Sequence, residues 1–120
     1  VDAMKANHHG SWDANSAAFL AALRPRVIVV TARAEGHPAV NTWHRLTSKA
    51  LWPGERDIFV THVSEATART TYGIERQARS TQGHVVIRTA PGGDSYRVFV
   101  LDDGDERMRV KAVFGPYAAQ

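Results

Sequence analysis

The stretch that most constrains this chain is Arg26-Val27-Ile28-Val29-Val30-Thr31. Its core is an unbroken β-branched run with no alternation of apolar and polar residues. Such side chains favour extended backbone. A strand apolar on both faces has both faces covered, as in a parallel sheet flanked by helices. The neighbouring segments fit that reading. Upstream, Ala17–Leu23 has helical character, with Phe19, Leu20 and Leu23 sharing one side. Asp13, Asn15 or Ser16 can cap it by accepting a free backbone N–H, and Pro25 stops it. Downstream, a helix is expected from about Val40 to Leu51, with Trp43, Leu46, Ala50 and Leu51 on its apolar side and Pro53-Gly54 ending it. Strands are expected at Ala3–Asn7 and Asp57–Thr61 as well. The order β-α-β-α-β predicts right-handed crossovers and a parallel sheet.

The rest of the chain changes character. Glu65 to Tyr72 has the composition of a helix with Gly73 as its C-cap, and Ile74 to Gln82 is a loop or a helix. Then follow three strand candidates, His84–Thr89, Tyr96–Leu101 and Arg109–Phe114. They are joined by turns at Ala90–Asp94 and Asp102–Asp105. This predicts an antiparallel meander. The expected division is residues 1–63 as an α/β part and 64–120 as a connecting segment plus meander.

Composition removes several function classes. With 120 residues and 43% apolar residues the chain can build one core. It has no cysteine, so disulfides and thiolate metal sites are excluded, and any metal must be held by His and carboxylates. That absence fits a cytoplasmic protein. No apolar run approaches the roughly 20 residues of a membrane span. The net charge of +3 is dispersed. It suits an anionic substrate, and it is weak support for nucleic acid as a partner. The opening Val1-Asp2-Ala3-Met4-Lys5 reads like the middle of a domain, so the expectation is a fragment whose partner is the upstream half of the same domain.

Candidate chemistry lies after the strands of the first half. His8-His9 follows the first strand, His37 the second and His62 the third. In a parallel α/β sheet the C-terminal strand ends share one edge, and ligands bind outside it. The spacing therefore brings four imidazoles, the commonest side-chain ligands of zinc-like ions, towards one rim. Gly10 permits close backbone approach. Ser11 has three readings: it orients a histidine, donates to a phosphate, or caps the following helix. Trp43 and Trp52 are read as core, whereas Trp12, beside the His8-His9 loop, is a candidate pocket wall. The acidic group Asp102, Asp103, Asp105 and Glu106 is read as a solvated turn.

Lys5-Ala6-Asn7-His8-His9-Gly10-Ser11, then Phe19-Leu20, Leu23-Arg24-Pro25-Arg26-Val27 and Gly36-His37-Pro38 occur in the order and at the spacing of a known pattern. Over roughly residues 2–50 the chain resembles the C-terminal half of metallo-β-lactamase-fold proteins of the ComEC type. The resemblance implies an αββα sandwich with one or two divalent metals, zinc or manganese, and metal-assisted hydrolysis of phosphoester or similar bonds. It implies that His8 or His9 is a metal ligand. It places His37, with Ser11, among the catalytic residues, His37 contacting a leaving group or an anionic oxygen.

This chain departs from the family in three ways. It lacks the HxHxDH motif and the bridging Asp, and Ala39 stands where the family carries a further histidine. About three protein ligands are needed for a catalytic metal, so the chain alone is expected to bind metal weakly and to be inactive. Two other classes stay open: a non-catalytic binding or assembly module, and a degenerate family member without metal. A half-domain would expose apolar surface, so self-association is a further expectation.

Overall fold

A computed structural model describes residues 1–120. The β-branched run forms β2, Val27–Val30, the middle strand of a three-stranded parallel sheet with β1, Ala3–Lys5, on one side and β3, Asp57–Val60, on the other. The alternating positions Ile28, Val30, Ile58 and Val60 belong to one buried cluster with Leu20, Trp43, Leu46, Trp52 and Ile74. Val27 and Phe59, on the opposite face, are also fully buried. A strand covered on both faces was the expectation, and it is what forms.

The first helix, α1, spans Ala17–Leu23. Ser16 caps it by accepting from the Phe19 amide at 3.3 Å, which decides among the three candidate caps. Arg24 closes it in a left-handed conformation before Pro25. Leu20 is buried, but Phe19 is exposed and does not share the core face.

The second helix, α2, is Val40–Thr47, one turn shorter than expected. The stop comes from tertiary contacts. The Thr47 hydroxyl donates back to the Trp43 carbonyl, and the Arg56 guanidinium takes up the carbonyls of Leu46, Ser48, Gly54 and Trp52. Arg56 also lies 3.5 Å over the Trp52 ring.

Residues 64–81 form two short helices, α3 at Glu65–Thr70 and α4 at Ile74–Gln77. Gly73, expected to close the former, instead opens the latter at φ 84°. Ile74 joins the core, and the Trp43 indole N–H donates to Gln77 at 2.6 Å. The chain accordingly divides into compact units of residues 1–81 and 82–120, so that α3 and α4 belong with the parallel sheet.

The second unit is the antiparallel meander β4, His84–Thr89, β5, Ser95–Leu101, and β6, Val110–Ala118. β6 runs past the expected end at Phe114, through Gly115-Pro116. It is an outer strand, where a proline lacking an N–H is tolerated. No helix is long and apolar enough to cross a membrane.

Candidate functional site

The strands of the parallel sheet lead into the candidate residues. β1 leads into Asn7–Gly10, where His8 (φ 47°), His9 (φ 57°) and Gly10 (φ 77°) take left-handed backbone in succession. For a non-glycine residue that conformation costs about 1–2 kcal/mol, so the surroundings must hold it. The Asn15 side chain brackets Asn7 from both sides. Its Oδ1 accepts from the Asn7 amide at 2.9 Å and its Nδ2 donates to the Asn7 carbonyl at 3.1 Å. Arg45, on α2, holds the segment that carries Asn15, donating to the carbonyls of Trp12, Ala14 and Asn15. The Thr42 hydroxyl donates to the Ser11 carbonyl at 2.7 Å.

Gly10 brings this turn against the next loop. A Cβ at Gly10 would lie 2.9 Å from the Pro38 Cβ, closer than packed carbons allow, and the Ala39 amide donates to the Gly10 carbonyl at 2.9 Å. The Gly36-His37-Pro38 loop, with a cis bond before Pro38, is therefore seated directly on the histidine turn.

Three of the four expected imidazoles are brought together. The rings of His8 and His9 are 6.4 Å apart, and those of His9 and His37 are 6.0 Å apart. His62 is exposed and makes no ring contact with them. His9 Nδ1 sits 2.5 Å from the Thr31 carbonyl oxygen at the end of β2. A carbonyl oxygen only accepts, so Nδ1 carries the proton and Nε2 of the neutral ring holds a free lone pair. His8 and His9 are exposed and His37 is half-buried.

His8 has a different partner, Asp13, at 3.6 Å. A hydrogen bond from the Ser11 side chain is the main cause that holds the Asp13 carboxyl below its ordinary value. Partial desolvation opposes it, while the Asp13 backbone and His8 reinforce it. Ser11 itself is buried. It does not cap α1, a role taken by Ser16. Trp12, the candidate pocket wall, is 71% exposed.

An ion held by an imidazole nitrogen lies about 2.1 Å from it, so two rings sharing one tetrahedral ion have centres roughly 5.2 Å apart. The centres of His9 and His37, at 6.0 Å, come nearer that spacing than those of His8 and His9, at 6.4 Å. No group of three or more His, Asp or Glu residues is placed to hold an ion. Asn15, Thr31 and Arg45 were not read as site residues from the sequence. Thr31 had a usable signal, since it ends the strand next to β1, whereas the Asn15 and Arg45 contacts span the fold. Family models, curated proteins and solved structures give no match to this chain.

Proposed function

We propose that this chain supplies the C-terminal half of a metal-dependent hydrolase of the metallo-β-lactamase fold, acting on phosphoester or similar bonds. The observation that carries the reading is the contact of His9 Nδ1 with the Thr31 carbonyl oxygen. The Nδ1–H is held by the Thr31 carbonyl, which leaves Nε2 as a lone pair beside His37. A second ring nitrogen bonded to a backbone carbonyl is the usual support of a metal-bound imidazole. This favours His9 over His8 as the ligand, with His37 as its neighbour. When bound, zinc or manganese supplies Lewis acidity towards the scissile group.

The chain's own residues position that chemistry. Thr31 fixes the His9 ring, Gly10 allows His37 to approach, and Ser11 acts through Asp13 on His8, which faces an anionic substrate. The remaining ligands come from the upstream half of the domain. The test is metal content of the protein at its natural length. The reading expects near-stoichiometric zinc or manganese, lowered at least tenfold by His9→Ala and much less by His8→Ala. Absence of metal from the unsubstituted protein would overturn it.

A second reading, a non-catalytic binding or assembly module, is favoured by the exposed Val86, Val110 and Val113 on the outer strands of the meander. It predicts a metal-free protein that self-associates through that sheet.

A further inference from the structure

The β4–β5 hairpin sets Arg88 directly opposite Arg97. Side chains opposite one another across an antiparallel pair share a face, and like charges in that arrangement destabilise the sheet. Neither guanidinium is relieved by a carboxylate: the ion pairs within residues 82–120 join Arg107 and Arg109 to Asp105. By the two-residue period of a strand, Ser95, Arg97 and Phe99 project from the same face of β5. Arg88, Ser95, Arg97 and Phe99, with Pro91 from the turn, line a cavity of about 220 Å³ that is open to solvent, with both arginines exposed. The arrangement is two unneutralised cations, a hydroxyl and an apolar wall around one space.

We propose that this cavity binds the phosphoryl group of a small phosphomonoester. Two guanidiniums match a dianion, and a phosphomonoester carries close to two charges near neutrality because its second pKa is about 6. A carboxylate or an internal phosphodiester carries one. Arg presents a planar fork suited to paired phosphoryl oxygens. The volume is below the roughly 300–1,000 Å³ of pockets that enclose a whole drug-sized ligand. The cavity therefore holds the phosphate and the first atoms of its organic part, against Phe99 and Pro91. This site is independent of the histidine cluster and of any metal there.

The experiment is calorimetric titration of the full chain with phenyl phosphate, inorganic phosphate and methyl phenyl phosphate. The expected order of affinity is phenyl phosphate, then inorganic phosphate, then the monoanionic diester, which binds at least about tenfold more weakly than the first. Arg88→Ala and Arg97→Ala each weaken phenyl phosphate about tenfold or more, while thermal midpoints hold or rise as the like-charge contact is removed. Arg88→Lys keeps the charge, loses the fork and recovers part of the affinity. Saturable binding of the diester as tight as that of the monoester would overturn the charge argument. No binding of phenyl phosphate, or unchanged binding by the double Arg88→Ala, Arg97→Ala variant, would overturn the site.

Discussion

At the scale of single residues, the candidate site rests on three residues that set backbone or proton positions for others. Gly10 is the tightest constraint, because positive φ and the approach of Pro38 coincide there. Gly10→Ala is expected to lower stability by about 2–4 kcal/mol, measured by denaturant unfolding, through left-handed strain together with overpacking. Ser11 governs a titration. The folded-state carboxyl of Asp13 is depressed, so its contribution to stability is present above the ordinary carboxylate value and is lost as pH falls through the lower folded value. Ser11→Ala removes the largest cause. The Asp13 carboxyl titration followed by NMR should then move up towards the ordinary value, and the part of the acid limb of the stability profile that Asp13 contributes should flatten. An unshifted Asp13 would mean that Ser11 does not hold it. Thr31 presents its backbone carbonyl to His9, so substitutions of its side chain should leave the His9 tautomer intact.

At the scale of elements, the parallel sheet was legible because β-branched residues without alternation have few alternatives. The helix α1 was legible from Ser16, Pro25 and the apolar spacing between them. Where the reading failed, the deciding contact came from far along the chain. Arg56 gathers the carbonyls at the end of α2 from a position ten residues past Leu46, and no local signal announces it. Gly73 can close one helix or open the next, and Ile74 entering the core decides which. The strand expected to stop at Phe114 runs on through Pro116, because an outer strand tolerates a residue without an N–H.

Asp57 shows the same dependence. It is buried at the start of β3, where Arg26 reaches it at 3.2 Å and Arg79 at 2.7 Å. These pairs tie the segments around α4 and β2 to β3. Asp57→Asn should cost about 1–3 kcal/mol, a range reduced because Arg79 is more than half exposed. Thermal unfolding checks it, and a change under about 0.5 kcal/mol would show the pairs to be idle.

At the scale of the whole molecule, a parallel three-stranded unit carries the imidazoles and an antiparallel three-stranded unit carries an arginine pair and exposed apolar residues. Most of the histidine constellation could be read from the chain, because strand-end loops of a parallel sheet share an edge. The choice between His8 and His9 could not, since it depends on which ring reaches the Thr31 carbonyl. The central claim is that His9, seated on the Thr31 carbonyl, is a ligand of a divalent ion bound beside His37. Its most direct measurement is a zinc titration of the chain followed by the histidine ring resonances in nitrogen-15 NMR. The account predicts that Nε2 of His9 and a ring nitrogen of His37 shift together and saturate together, weakly, that His9 Nδ1 stays protonated throughout, and that His62 and His84 do not follow. Zinc shifting those exposed histidines while His9 and His37 stay unmoved, or His9 binding through Nδ1, would contradict it.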